Sequence, residues 1–277
     1  PFMIKAYRIY FKFLDLLFPS IAAKKVYHIM SNPRIHKLRE FESKALDRSL
    51  KEWVKFKSFE IQKYSWGSAD NPVALLIHGW EGQAGNFGAM IDLLLEKEYQ
   101  VIAYDAPSHG GSSKGNTSMF EYADFVTERL KVHKPKVILS HSFGSVTAAF
   151  ALKENPDVQV RQWYLITTPY HFRDRINEMA EFIGVSDRTI KRLISNLEKN
   201  INIPLNDLNM EVYGGNLKNL DEAFIIHSSS DRVIPIEKAR LSHKAIPQSK
   251  LIVLENLGHY RILWSKQLLD ILKKEIV

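Results

Sequence analysis

The chain has 277 residues, of which 45% are hydrophobic and 25% charged, a balance typical of a globular protein and unlike that of a disordered or fibrous one. It contains no cysteine, which excludes disulfides, thiolate nucleophiles and cysteine-ligated metals. Its net charge of +7 comes from residues 1–57, which hold 13 Lys and Arg against 5 Asp and Glu; no nucleic-acid-binding signature accompanies these charges, so we expect no nucleic-acid partner.

The N-terminal segment is predicted to be helical. In Phe2–Phe18 the polar residues Lys5, Arg8, Lys12 and Asp15 recur every three or four positions, which places them on one narrow stripe of an otherwise apolar helix. Such a helix must bury most of its surface. Two further helices are predicted, over Ile21–Met30 and Ile35–Leu50.

From about Phe56 onward, short apolar runs alternate with helical stretches, which indicates βα units and a mainly parallel sheet with helices on both faces. The predicted strands are "FEIQKY", "VALLIHG", "VIAYD", "KVILSH", "WYLITT", "AFIIHS" and "KLIVLE". Helices are predicted at Phe87–Glu96, Met119–Lys131, Phe143–Glu154, Ile236–Ala245 and Ser265–Ile276. No uncharged run reaches the ~20 residues that span a bilayer, so no transmembrane helix is expected.

One interval interrupts this alternation. Between about Tyr170 and Leu220 the spacing is helical, the charge is higher and no good strand is present, so we expect an inserted helical cap. The predicted organisation is therefore an N-terminal helical segment (1–55), an α/β core (56–169 and 221–277) and a cap (170–220).

A serine lies between a strand and a helix in the middle of the chain. The apolar residues Val137–Leu139 lead directly into Ser140-His141-Ser142-Phe143-Gly144, and a helix of small residues follows. A serine at such a turn is held in a strained conformation that exposes its hydroxyl, and small neighbours make room for it. The pattern matches G-x-S-x-G except that Ser140 replaces the first glycine.

A serine hydroxyl becomes a good nucleophile when a base removes its proton and a carboxylate orients that base. Two later strands supply both groups, because "AFIIHS" leads to Asp231 and "KLIVLE" leads to His259. The carboxyl ends of parallel strands lie along one edge of a sheet, so Ser142, Asp231 and His259 are expected to meet there.

An oxyanion site is predicted after the strand in "LLIHGW". A glycine following a strand lets backbone N–H groups face a pocket, and we assign the N–H groups of Trp80 and Phe143 to this role. Four further residues border the same edge of the sheet and are predicted to line the pocket, namely His78, Gly79, His141 and His227.

Taken in order, these motifs resemble the α/β-hydrolase fold superfamily from about Phe56 to the C-terminus. The matching segments are "HGW", "DAPSHGGS", "SHSFG", "SSSDRVIP" and "GHYRIL". The resemblance implies structural roles for His78 and His109, and a loop-fixing role for Asp105. Ser140 and Ser108 depart from the pattern, since each replaces a usual glycine.

We therefore expect an esterase- or thioesterase-like hydrolase that acts on a small-molecule acyl substrate, without a cofactor or metal, through Ser142, His259 and Asp231. The alternative is a non-catalytic protein of the same fold that binds a ligand or partner in that pocket.

The expected location is the cytoplasm. For residues 1–50 there are two options: Phe11, Leu14, Leu17 and Phe18 pack on the rest of the protein, or the segment contacts an anionic membrane surface peripherally.

Overall fold

The structure is a computed structural model that describes residues 2–201 and 203–277. The chain divides into two compact units. The larger comprises Arg34–Tyr170 and Met210–Val277 and contains the sheet; the smaller comprises Pro1–Pro33 and His171–Asn209 and is helical.

The larger unit is built on an eight-stranded sheet in the order β1-β2-β4-β3-β5-β6-β7-β8. Its strands are β1 (Leu50–Phe56), β2 (Phe59–Trp66), β3 (Val73–Ile77), β4 (Gln100–Tyr104), β5 (Val137–His141), β6 (Val160–Ile166), β7 (Leu220–Ser228) and β8 (Ser249–Leu254). Strand β2 pairs antiparallel with β1 and β4, and all other pairs are parallel. The predicted α/β class with a mainly parallel sheet is confirmed.

The α-helices, in chain order, are α1 (Phe2–Leu17), α2 (Pro19–Met30), α3 (Glu40–Asp47), α4 (Ile91–Glu96), α5 (Met119–His133), α6 (Phe143–Glu154), α7 (Phe172–Ile183), α8 (Asp187–Ile201), α9 (Met210–Gly214), α10 (Ile236–Ala245) and α11 (Lys266–Glu275). Short 3-10 helices span Ala84–Met90, Leu205–Asp207 and Arg261–Trp264.

Helices cover both faces of the sheet because successive side chains of a strand point to opposite faces. Val101 and Ala103 of β4 share a buried core with Leu94 of α4 and residues of α11. Tyr104 points the other way, and its ring packs edge-on against Phe125 of α5 with 5.2 Å between the ring centroids, a distance typical of aromatic pairs. The central strands are therefore buried on both sides, which is why they are nearly continuous apolar runs.

Two sequence predictions near the start of this unit are wrong. The helix predicted over Ile35–Leu50 is limited to α3, and the following residues form the edge strand β1. Most side chains of β1 are exposed, and Lys51, Glu52 and Lys55 interrupt its apolar residues, so no continuous apolar run marks the strand. Its pairing with β2 depends on backbone hydrogen bonds. The helix predicted from Phe87 begins instead as the 3-10 turn Ala84–Met90 before α4.

The structure groups the helices differently from the predicted organisation. Helix α2 packs against α1 and α8, and α1 contacts α7, so the N-terminal helices and the inserted helices form one unit. Residues 34–55 belong to the sheet unit, as does α9. The helical unit depends on contacts between segments that are more than 150 residues apart, such as Asp15 with Thr189, which no local pattern reports.

Helix α1 is buried along one side. Phe11 is 1% exposed and Leu14 is partly buried, whereas Leu17 and Phe18 are 50% and 53% exposed. Of the two options, packing on the rest of the protein therefore describes Phe11 and Leu14 but not Leu17 and Phe18. The reason is Asp15, whose carboxylate accepts hydrogen bonds from the Ser186 N–H at 2.9 Å and from the Thr189 hydroxyl, and so fixes which side of α1 faces α8.

Among the described residues, no helix is both long enough and apolar enough to cross a bilayer.

Candidate active site

Ser142 occupies the turn between β5 and α6. Its backbone has φ 52° and ψ −125°, a conformation that a residue with a side chain rarely adopts, and its N–H donates to the Ile166 carbonyl at 2.9 Å. Its side chain is only half-buried, while the surrounding residues of β5 and α6 are buried. The strained turn thus presents a serine hydroxyl at the end of a buried strand.

Gly144 makes this turn sterically feasible. A Cβ at this position would lie 2.3 Å from the Ile77 carbonyl oxygen and 2.6 Å from that of His78. Both obstacles are backbone atoms of β3 and the loop after it, so they cannot rotate away. Only glycine fits as the second residue after the serine.

Ser140, which replaces the usual first glycine, is accommodated in a hydrogen-bonded pocket. The Trp163 indole N–H donates to Ser140 Oγ at 2.8 Å, the Ser145 hydroxyl lies 2.9 Å away, and Ser140 donates to the Tyr164 carbonyl at 3.2 Å. The buried hydroxyl is fully satisfied, so this departure from the motif leaves no unpaired polar group.

Ser108, the other departure, takes the left-handed conformation for which the motif uses glycine. Its φ is 67°, and its hydroxyl accepts the Gly115 N–H at a long 3.3 Å. A residue with a Cβ is strained in this region by about 1 kcal/mol. The loop keeps the shape that the motif requires, at a cost in stability.

Asp231 and His259 form a buried pair at the carboxyl ends of β7 and β8. His259 Nδ1–H donates to Asp231 Oδ2 at 2.8 Å, and the other carboxylate oxygen accepts the N–H groups of Val233 at 2.8 Å and Ile234 at 3.0 Å. Because a carboxylate only accepts, Nδ1 carries the imidazole proton and Nε2 is left as an acceptor.

The carboxyl group of Asp231 is held in its charged form. Burial raises its pKa, but the hydrogen bond from His259 and the two backbone N–H groups outweigh burial, so the net pKa is lowered. A carboxylate that stays ionised can orient an imidazole and stabilise it when it becomes protonated.

Ser142 is placed near this pair by its neighbour His141, which contacts His259, and by the close approach of Gly79. The rings of His141 and His259 are 4.9 Å apart, and His141 Nε2–H donates to the His259 carbonyl at 3.0 Å. A Cβ at Gly79 would lie 3.0 Å from Ser142 Cβ. Ser142 Oγ and His259 Nε2 make no hydrogen bond with each other within the part of the chain that the structure describes.

The two residues predicted to supply oxyanion N–H groups, Trp80 and Phe143, lie close to each other near the serine turn. Phe143 follows Ser142 directly, and the Trp80 ring meets the Phe143 ring edge-on at 6.2 Å. The close approach of Gly79 to Ser142 brings the "HGW" loop next to the turn, because no side chain separates the two backbones.

The predicted pocket histidines are buried and neutral, with ring nitrogens that hydrogen bond to the backbone. His78 Nδ1–H donates to the Gly79 carbonyl at 2.7 Å, and His227 Nε2–H donates to the Ile234 carbonyl at 2.9 Å. Burial lowers the pKa of both, and burial followed by the neighbouring His259 lowers the pKa of His141 to about 3. These rings support the loops around the serine.

In the described part of the chain, Asp105 makes no hydrogen bond or ion pair with His259. Its carboxylate accepts the N–H groups of Ala84 and Gly111, both at 2.7 Å, and the Tyr64 hydroxyl at 2.9 Å. It therefore joins the loops after β3 and β4, and Asp231 is the carboxylate that pairs with the histidine.

Sequence and structure comparisons agree with this architecture. A family model described as "alpha/beta hydrolase fold" matches residues 72–181. A "serine hydrolase-like protein" of Mus musculus is 31% identical over 135 residues, which cover 47% of this chain and 42% of that protein. The "uncharacterized hydrolase YugF" of Bacillus subtilis (strain 168) is 25% identical over 224 residues, which cover 66% of this chain and 81% of that protein.

A solved structure, "alpha/beta hydrolase domain-containing protein 10 from mouse", superposes with a TM-score of 0.64 at 14% identity, covering 82% of this chain and 96% of the other. The chain has the α/β-hydrolase fold. The match spans less than half of the mouse serine hydrolase-like protein.

The ion pair between Arg34 and Glu81, next to the "HGW" loop, was not predicted from the sequence. Arg34 donates to both carboxylate oxygens of Glu81, each at 2.9 Å, and Glu81 follows Trp80 directly with a left-handed φ of 61°. The pair ties the loop carrying the predicted oxyanion donor to residues just before α3. The only local signal is an acidic residue after "HGW", because Arg34 is 47 residues away in sequence.

Proposed function

We propose that this protein is a serine hydrolase that cleaves an acyl bond, most simply that of a carboxylic ester, through Ser142, His259 and Asp231. The observation that supports the proposal most strongly is the buried His259–Asp231 pair, joined at 2.8 Å next to a serine in a strained strand-to-helix turn. A pair of this kind activates a serine hydroxyl in hydrolases on several unrelated folds.

In the proposed reaction, Ser142 Oγ attacks the acyl carbon while His259 Nε2 accepts the hydroxyl proton. The N–H groups of Trp80 and Phe143 stabilise the negative charge on the acyl oxygen. The imidazolium then gives its proton to the leaving alcohol, and water attacks the acyl-enzyme by the reverse proton path. The serine and imidazole come into contact when substrate binds, as catalytic hydrogen bonds in unliganded sites are commonly long.

The test is labelling of the full chain with a fluorophosphonate, which an activated serine attacks at phosphorus with loss of fluoride. We expect one label per chain, none in Ser142→Ala, and labelling about 10⁴-fold slower in Asp231→Asn, because the imidazole loses its orienting carboxylate. Ser195→Ala, which removes an exposed hydroxyl in α8, is the matched control and should label like the wild type.

Hydrolysis of p-nitrophenyl esters of graded chain length, measured on the same variants, then defines the acyl preference. Labelling that survives Ser142→Ala would contradict the assignment of the nucleophile. A folded wild-type protein that neither labels nor hydrolyses any ester would instead support the non-catalytic binding alternative.

A further inference from the structure

The outer side of α1 carries an exposed apolar strip. Leu16, Ile9 and Phe13 are 74%, 68% and 66% exposed, and Leu17 adjoins them. At 3.6 residues per turn these four side chains occupy roughly a third of the helix circumference. Scattered apolar residues on a surface are ordinary, but a continuous strip of large ones indicates a binding surface.

The strip cannot turn inward, because the opposite side of α1 is fixed. Asp15 accepts the Thr189 hydroxyl and the Ser186 N–H, and Phe11 is buried beside it. Thr189 is fully buried. Rotation of α1 would leave the Asp15 carboxylate without these donors, and would expose Phe11.

Positive charge borders the strip. On the helical wheel, Lys12 lies next to the apolar arc on one edge, and it is exposed. Up to Pro33 the chain holds five Lys and Arg, and its only acidic residue is the buried Asp15.

We infer that this surface, defined as the apolar strip of α1 with Lys12 at its edge, docks on an anionic lipid surface. Large apolar side chains flanked by cations are the signature of a helix that lies in the plane of a membrane interface, with its apolar side among the acyl chains and its cations at the phosphate level. A second copy of the chain fits the same surface poorly, because it would bring together two segments that each hold five Lys and Arg and one acidic residue.

The docking goes beyond the proposed hydrolysis and does not depend on it. Ser142→Ala should bind lipid as the wild type does, so loss of hydrolysis and loss of docking are separable outcomes.

The first test is cosedimentation of the full chain with vesicles of phosphatidylcholine, with and without about one third phosphatidylserine. We expect binding to the anionic vesicles that weakens as salt rises. Lys12→Glu should weaken it about tenfold, and the double variant Phe13→Ser, Leu16→Ser should abolish it. The matched controls on the sheet unit, Lys136→Glu and Val132→Ser, change exposed residues of the same types and should bind like the wild type.

A second test does not depend on loss of binding. Because the chain contains no cysteine, Leu16→Cys and Val132→Cys can each carry one environment-sensitive fluorophore. The probe at position 16 should shift to shorter wavelength with anionic vesicles and be quenched by a quencher attached to the acyl chains, while the probe at position 132 should not respond.

Three results would overturn the inference. The first is absence of wild-type binding to anionic vesicles at low salt, and the second is equal responses of the two probes. The third is a wild-type dimer in light scattering that becomes a monomer in the double variant, which would make the strip a contact between copies of the chain.

Discussion

Two positions of the serine turn differ in what the fold demands of them. Position 140 lies in a strand, where a side chain fits, and Ser140 there accepts the Trp163 indole N–H at 2.8 Å. At position 144, a Cβ would lie within 2.3 Å of a backbone carbonyl oxygen. Glycine is therefore strictly required at position 144 but not at position 140.

Gly144→Ala tests this difference. We expect it to lower the free energy of unfolding by about 3 kcal/mol or more, because backbone atoms of β3 would have to move. The same substitution at Gly258, where no atom lies within 4 Å of the added Cβ, should change stability by less than about 0.5 kcal/mol. Urea unfolding of both variants, followed by tryptophan fluorescence, measures the two effects; equal losses would show that the clash at position 144 is not what selects glycine.

At the scale of elements, the contact between α1 and α8 holds together segments from the two ends of the helical unit. The Asp15 carboxylate accepts the Ser186 N–H at 2.9 Å just before α8 begins, so it serves as a cap supplied from another helix. Burial raises the pKa of Asp15, but hydrogen bonds from Thr189 and Ser186 outweigh it, so the net pKa is lowered and the group stays charged at neutral pH.

Thr189→Val should loosen this contact. The substitution preserves the shape of the side chain but removes the hydroxyl that donates to Asp15, at a cost of about 1 to 2 kcal/mol. We expect amide hydrogen exchange in α1 and α8 to become about tenfold faster, while exchange in the sheet stays unchanged. Asp187→Asn alters an exposed residue of the same turn and is the control. Faster exchange in the sheet as well would mean that the helical unit does not open separately.

At the scale of the whole molecule, buried histidines make stability depend on pH. Burial is the main cause of a lowered pKa at His78, His109, His133, His141 and His227. In the unfolded chain each would bind a proton below about pH 6.5, whereas the folded protein resists protonation. The unfolded state therefore binds more protons in acid, and stability falls as pH decreases below about 6.5.

His133→Gln tests the contribution of His133 to this pH dependence of stability. Burial lowers the pKa of His133 to about 4, and its Nε2 accepts the Tyr104 hydroxyl at 2.6 Å. A glutamine oxygen can accept the same bond without titrating, so the loss of unfolding free energy between about pH 6.5 and 4 should be smaller in the variant. Tyr104→Phe, which removes the donor but keeps the histidine, should retain the wild-type slope. An unchanged slope in His133→Gln would contradict the assignment.

Local patterns were sufficient for the framework of the sheet unit. Apolar runs predicted β3 to β7 because central strands of a sheet covered on both faces are largely apolar. The edge strand β8 was predicted from its apolar run Leu251–Leu254, although it is only partly buried. The positions of Ser142, Asp231 and His259 after their strands followed from the rule that parallel strands end along one edge. The edge strand β1 escaped prediction because its exposed side chains leave no such pattern.

By itself, then, the sequence determined the fold class and the positions of serine, aspartate and histidine at the ends of their strands. Both depend on patterns of residues that are close together in the chain. Only the tertiary structure decided which residues brace that site and how the helices assemble. Arg34 meets Glu81, and Asp15 meets Thr189 across 174 positions. Such contacts are selected by the packing of whole elements, and neither partner carries a local signal of the other.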